Sequence, residues 1–536
     1  MKDWFKTAVF YEIYPQSFMD SNGDGVGDLQ GIISKLDYVK DLGADAIWLN
    51  PIFDSPFKDA GYDVRDYKKV AERYGTNDDA KQLFEEAHQK GLRILLDLVP
   101  GHTSEQHEWF KLSGAENPED RGGMSDRYVW SKTWFGGMWP RPYIGGEMPR
   151  NGTYLINFFK SQPALNYGFG EIDAPWQQRY DSEGAIATRD AMVDVCKFWL
   201  SMGCDGFRVD MADSLVKNDT PEKKYTCETW RYILGKVRAD FPEAVFVSEW
   251  SWAKGSLCDA GFDMDFWLDH AGGGYNSLLR DYERGGVPAD KVNPFEGEAE
   301  PGAEDKSFFK TGSGGDPMRF VNEFNERMES VIESEGAMAY ISCNHDTPRA
   351  ARTLSEKECL IAYATLFSLP GVPFIYYGDE IGMTYLEGLS TVEGGYTRTG
   401  SRSPMQWDSS DNCGFSTADA KDLYIPQDDS ENAPTVAMQT AAPYSMLNTL
   451  KNYIALRKSE PSLAADSPVQ ITFAREGIQV LSFNRGNDLT VTANMSLDNF
   501  IREERLEVIF SLGDVKSEEG KITFAPGSFA ICRIKE

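Results

Sequence analysis

From Ala8 to about Leu369 the chain alternates short apolar runs with helical patterns, and this alternation restricts the fold more than any other feature. Eight runs read as strands: Val9–Tyr14, Ala46–Leu49, Leu92–Val99, Gly206–Asp210, Val245–Glu249, Phe262–Phe266, Met338–Ser342 and Val372–Tyr377. They are nearly continuous in apolar residues, as strands covered on both faces are. Between them Leu29, Ile32, Ile33, Leu36, Val39 and Leu42 recur at helical spacing, as do Leu83, Phe84 and Ala87. The segment from Arg189 to Met202 reads as another helix. Repeated strand–helix units imply a parallel sheet, and eight of them fit a closed (β/α)8 TIM barrel, an α/β fold.

Two stretches interrupt the alternation. Residues 103–171, after the third strand, are rich in Gly, Pro, Trp and Tyr and lack long periodic helices, so they read as a small inserted domain. Residues 381–440 read as a long ordered loop after the eighth strand. Near 464 the pattern changes to short antiparallel strands: Gln470–Phe473, Ile478–Phe483, Leu489–Thr492 and Phe529–Ile534. The expected organisation is a barrel formed by 1–102 and 172–463, an inserted domain B at 103–171, and a C-terminal antiparallel β-sandwich at 464–536.

Charge narrows the function. With 54 Lys and Arg against 84 Asp and Glu, the net charge is −30. That argues against binding a phosphate backbone or an anionic membrane surface. No run approaches the roughly 18 apolar residues of a membrane span. The eight cysteines are scattered singly, which favours reduced buried thiols over a zinc site or a disulfide framework. Met1–Lys6 has no apolar secretion core, so the expected location is cytoplasmic, or outside the cell with a signal already removed.

The chemistry gathers where the strands end. Asp97 and His102 follow the third strand, Arg208 and Asp210 end the fourth, and Glu249 ends the fifth. His345 and Asp346 follow the seventh. In an α/β barrel this is the face that carries active sites. Arg208 and Asp210 stand two apart on one strand and share a face, so the guanidinium can keep Asp210 ionised. A second motif is legible from spacing alone. Asp20, Asn22, Asp24, Val26 and Asp28 supply oxygens at positions 1, 3, 5, 7 and 9 of an EF-hand-like loop, with Gly25 at position 6. Gly31 stands where the closing Glu of such a loop would be.

The strings Asp97-Leu-Val-Pro-Gly-His102, Gly206-Phe-Arg-Val-Asp210, Ser248-Glu249 and Asn344-His-Asp346 resemble the four core motifs of glycoside hydrolase family 13, the α-amylase family. The likeness runs from Tyr11–Phe18 through Gly371–Glu380 to Ser403–Trp407, and is nearest to the α-glucosidase and oligo-1,6-glucosidase branch. It implies a retaining exo-acting α-glucosidase working on short malto- or isomalto-oligosaccharides. Retention needs a carboxylate nucleophile and a carboxylic acid that protonates the leaving oxygen. The resemblance assigns the first role to Asp210, the second to Glu249, and a charge-stabilising role to Asp346. It assigns sugar contacts to Asp59, Tyr62, His102, Gln162, Arg208, His345 and Arg402. Asp59 and Arg402 would pair across the top of the barrel and close the pocket behind the first sugar. Glu249 would have to stay protonated near neutral pH, with its pKa raised. The same branch carries the Asp20–Asp28 loop as a structural Ca2+ site, with Mg2+ able to substitute.

The chain departs from the family pattern at several points. Gly101 replaces the usual Asn before His102, the ligand that calcium-dependent amylases use there. Ala164 replaces an acid in Gln162-Pro-Ala-Leu-Asn166, and Met211 follows the nucleophile without deciding linkage preference. Two other activities share the same first half-reaction: transglycosylation or isomerisation of the trehalose or sucrose isomerase type, and trehalose-6-phosphate hydrolysis. An endo-acting amylase remains a further option. A catalytically dead binding subunit does not suit a chain that keeps all three acids.

Overall fold

The computed structural model describes residues 1–134, 138, 141–268, 273–281, 306–518 and 520–535. Eight parallel strands close into a barrel: β1 (Phe10–Ile13), β2 (Ala46–Leu49), β3 (Arg93–Leu98), β4 (Gly206–Val209), β5 (Val245–Ser248), β6 (Met264–Phe266), β7 (Ala337–Ile341) and β8 (Val372–Tyr376). Each strand pairs with its neighbour in sequence, and β8 closes on β1 with Phe374 opposite Phe10. All eight expected strands are present. Closure leaves no free sheet edge. Large rings fill the interior: Phe10 stacks on Phe374 at 4.3 Å, and Phe266 lies 5.2 Å from Trp48 and 4.9 Å from Phe374.

The helices differ in detail from the expected ones. The apolar stripe from Leu29 to Leu42 is two helices, Leu29–Ser34 and Leu36–Leu42, separated at Lys35 (φ −112°, ψ 5°). The helix expected from Arg189 starts six residues earlier, at Glu183, because the Ser182 side chain accepts from the Ala185 N–H and caps it. Among the described residues no helix is long and apolar enough to cross a membrane.

Between β3 and β4 a three-stranded antiparallel sheet joins Trp130–Ser131, Thr153–Leu155 and Tyr143–Gly145. An antiparallel bridge pairs His102 with Ala164, so the insertion leans on the strand-end residue it must help to position. The C-terminal part forms two antiparallel sheets. One has five strands, in the order Val469–Arg475, Ile478–Arg485, Leu489–Asn494, Ser528–Ile534 and Leu506–Leu512. The other has three: Phe500–Arg502, Lys521–Phe524 and Val515–Glu518.

Candidate active site

One guanidinium organises the barrel mouth. Arg208, at 1% exposure, rises from β4. Its Nη1 donates to Asp97 Oδ1 at 2.9 Å and to Asp210 Oδ1 at 3.2 Å. Its Nη2 lies 2.8 Å from Glu249 Oε2. Three carboxylates from the ends of β3, β4 and β5 therefore share one cation. A buried charge is tolerated when it is paired; burial opposes the charge of Arg208, but Asp97, Glu249 and Asp210 outweigh it. Met211, the residue after β4's Asp210, adopts a left-handed backbone (φ 44°) and donates its N–H to Glu249 Oε2 at 2.9 Å. A non-glycine residue in that region is strained. Here the strain orients a carboxylate.

Asp210 feels opposing pulls. Burial first, then the charge of Glu249, push its carboxyl well above the ordinary range, while Arg208 pulls it back. The rise expected of Glu249 is found instead on Asp210, the residue expected as nucleophile. Protons on two interacting carboxyls belong to the pair rather than to either member.

The opposite wall is built on His345. Its Nδ1 lies 2.7 Å from Glu12 Oε1, and its Nε2 lies 2.6 Å from the Tyr62 hydroxyl and 3.1 Å from Asp346 Oδ2. Acceptors face both ring nitrogens. Burial opposes a charge there, but Asp346 and Glu12 outweigh it and raise His345 to about 9. The ring is an imidazolium at neutral pH. Tyr62 stacks on it at 5.4 Å and 10°, and donates its own proton to Asp97 Oδ2 at 3.0 Å. Asp346 is half-buried, which opposes its charge, yet His345 and the guanidiniums of Arg398 and Arg402 hold it well below the usual carboxylate range. Asp346 Oδ1 receives Arg398 Nη1 at 2.7 Å and Arg402 Nη2 at 3.1 Å.

This corrects the expected Asp59–Arg402 pair. Arg402 is taken by Asp346, the His345 carbonyl at 2.8 Å and the Tyr14 hydroxyl at 3.3 Å. Asp59 instead accepts from Gln162 Nε2 at 2.7 Å and faces Arg398 Nη2 at 3.6 Å. The loop after β8 supplies two arginines, and Arg398 reaches farther over the top. Burial pushes Asp59 up to about 6 against Arg398 and Gln162. All ten expected catalytic and sugar-contact residues fall into one connected cluster. Sequence reasoning missed Glu12, Asn157 and Arg398, which lie in segments whose approach to the mouth only the fold determines.

His102 is set differently from His345. Its Nε2 donates to the Tyr62 carbonyl at 3.1 Å, and its Nδ1 accepts from Asn157 Nδ2 at 3.0 Å. Burial lowers it to about 4, so the ring is neutral. Gly101 explains how Asn157 fits. A Cβ at 101 would stand 3.1 Å from Asn157 Nδ2, so the absence of a side chain makes room for the amide that fixes the His102 tautomer.

The Asp20–Asp28 loop lies against the segment after β8. Asp20 Oδ1 accepts from the Asn22 and Gly23 N–H groups, and its Oδ2 accepts from Gly25 N and Ser416 Oγ. Asn22 Oδ1 accepts from Asp24 N, and Asp24 Oδ1 from Val26 N. Asp28 caps the helix Leu29–Ser34 and accepts from Ser21. Gly25 (φ +89°) passes so close to the Asp422 carbonyl that a Cβ would stand 2.2 Å from it. The side-chain donors are all oxygens, the set a hard cation takes. Among the described residues no three Asp, Glu, His or Cys side chains converge as a metal cluster.

Comparison with known proteins places this geometry. The profile of the alpha amylase catalytic domain matches residues 12–466. The chain belongs to the α-amylase family, glycoside hydrolase family 13. Among its relatives is a trehalose synthase/amylase, TreS, of Mycolicibacterium smegmatis, 34% identical over 492 residues that cover 86% of this chain and 77% of that protein. Another is an oligo-1,6-glucosidase of Heyndrickxia coagulans, 32% identical over 567 residues, covering 92% and 93%. The crystal structure of the α-glucosyl transfer enzyme XgtA superposes with a TM-score of 0.77 at 26% identity over the whole of both chains. The chain is an enzyme of the α-amylase glycoside hydrolase family.

Proposed function

We propose that the chain is a retaining, exo-acting α-glucosidase that releases terminal α-linked glucose from short α-glucosides through a covalent glucosyl-enzyme intermediate. The observation that carries this reading is Arg208 binding Asp210 and Glu249 together, with Asp346 held ionised on the facing wall. In the first step the Asp210 carboxylate attacks the anomeric carbon. The bond to the leaving oxygen breaks, and that oxygen takes a proton from Glu249, the acid of the proposed mechanism. Asp346, held ionised, stabilises the positive charge that develops on the sugar. In the second step Glu249 takes a proton from water, whose oxygen attacks the anomeric carbon and frees Asp210. Asp59, Gln162 and Arg398 form a charged, hydrogen-bonded wall that suits the hydroxyls of a non-reducing end. Tyr62 offers a ring face, and His102 and His345 fix the polar walls.

A second reading has a specific support. TreS is named a trehalose synthase, and XgtA an α-glucosyl transfer enzyme. In this reading a sugar hydroxyl replaces water as acceptor in the second step. The oxygen-only loop Asp20–Asp28 is proposed to hold a structural Ca2+ or Mg2+ through Asp20, Asn22, Asp24, the Val26 carbonyl and Asp28.

Incubation with maltose, isomaltose, trehalose, sucrose and short maltodextrins, read by chromatography, tests the proposal. Hydrolysis predicts glucose as the dominant early product from at least one disaccharide. A new disaccharide formed in excess of free glucose would favour transfer. Maltotriose and longer pieces cut from the middle of a long glucan would contradict exo-action.

A further inference from the structure

Glu249 follows directly on β5, and residues on either side of it are tied to one buried carboxylate, Asp265. Successive strand residues point to opposite faces. Glu249 enters the mouth, so Ser248 points outward, where its register partner on β6 is Asp265. Asp265 is fully buried. Its Oδ1 accepts from Ser248 Oγ at 2.7 Å and from Ser251 N at 3.2 Å. One oxygen thus holds the residue before Glu249 and the residue two after it. Ser251 needs holding, because it is non-glycine at φ 62°. Its remaining polar groups are also engaged. Ser251 Oγ accepts from Leu268 N at 3.1 Å, and its carbonyl accepts from Arg327 Nη1 at 2.5 Å. Ser248 Oγ is further tied to Ser256 Oγ at 2.5 Å.

We propose that Asp265 is a positioning residue that clamps the Ser248–Ser251 turn from behind and sets the aim of Glu249. The inference rests on Glu249 being the acid/base. The clamp depends on charge, because an ionised acceptor holds N–H and O–H donors about twice as strongly as a neutral one. The charged and titratable groups facing Asp265 are few. Arg327 approaches from the helix Met318–Glu333, with Glu323 and Glu326 beside it and Tyr340 of β7 near it, and the Trp252 N–H adds a donor. Asp265 Oδ2 is buried without a hydrogen-bond partner among the described residues. Burial raises the group to about 7 against the help of Ser248 and Arg327. The ionised state therefore costs folding stability as pH rises toward 7, and removing the charge should not destabilise the fold at pH 8.

The test compares leaving groups. The kcat/KM of Asp265→Asn is measured on aryl α-glucosides of graded leaving-group acidity and on maltose. The expected loss is about 10²-fold on maltose and at most about threefold on 2,4-dinitrophenyl α-glucoside, since only poor leaving groups need the proton. The melting temperature should stay within a few degrees of the wild type. An ionisation near pH 7 in the wild-type profile should be absent from the variant. If Asp265→Asn fails to fold, Ser248→Ala carries the test, with an expected tenfold selective loss on maltose. Equal losses on every substrate, or none, would overturn the proposal. Glu249→Gln run in parallel separates the two claims. If it shows the leaving-group dependence and Asp265→Asn does not, only the clamp is wrong. If neither shows it, the acid/base assignment itself fails.

Discussion

At the scale of single residues, the site is a set of charges that fix one another. Glu12 and Asp346 keep His345 protonated, and His345 in turn keeps Asp346 ionised. The sign of the resulting pH dependence follows. A histidine whose pKa rises from 6.5 to about 9 on folding adds stability that is complete below 6.5 and is lost as pH climbs through 9. Glu12→Gln keeps the shape but removes one of the two anions. The alkaline limb of kcat/KM should shift down by about one pH unit, a change of ~1.4 kcal/mol. A limb that stays in place would show that Glu12 does not govern His345. Gly101 acts through absence. Gly101→Asn would crowd Asn157, 3.1 Å from the new Cβ, and release His102 Nδ1. About a tenfold fall in kcat/KM is expected, with the fold retained, and unchanged kinetics would mean the tautomer does not matter. The strand-end residues Asp97, Arg208, Asp210, Glu249 and Asp346 were legible because each sits at a fixed offset from an apolar run. Glu12, Asn157 and Arg398 were not, since their meeting depends on where distant loops cross. Arg402 was matched to Asp59 by the family resemblance, as the Arg just before Ser403-Pro-Met-Gln-Trp407, whereas the fold turns Arg402 to Asp346 and brings Arg398 to Asp59.

Among elements, the barrel strands were readable because burial on both faces writes them as apolar runs. The same logic explains what was missed. Phe500–Arg502 and Val515–Glu518 are edge strands of the small sheet, and Val515–Glu518 is half to fully exposed along its length. Such strands carry no apolar signature. The helix break at Lys35 was hidden because the apolar stripe continues across it. The Asp20–Asp28 loop is proposed to hold a cation through its oxygen donors. Chelation with excess EDTA should lower the melting temperature by several degrees and leave the barrel-mouth chemistry intact, and Ca2+ or Mg2+ should restore it by mass action. No thermal shift, together with no metal by elemental analysis, would mean that the loop is held by its own hydrogen bonds.

For the molecule as a whole, the parts converge on one mouth. β1, β3, β4, β5 and β7 each deliver an ionisable residue, the insertion after β3 brings Asn157 and Gln162, and the loop after β8 brings Arg398 and Arg402. The net charge of −30 makes the surface self-repelling and does not hinder a neutral sugar. The central claim is that Asp210 forms a covalent bond to the sugar, and the anomer released first reports on it directly. Proton NMR of the hydrolysis of 4-nitrophenyl α-glucoside should show α-glucose appearing before mutarotation produces the β form, and this holds whichever acceptor the enzyme prefers on natural sugars. β-Glucose as the first product would mean a single inverting displacement, and Asp210 would then not be the nucleophile.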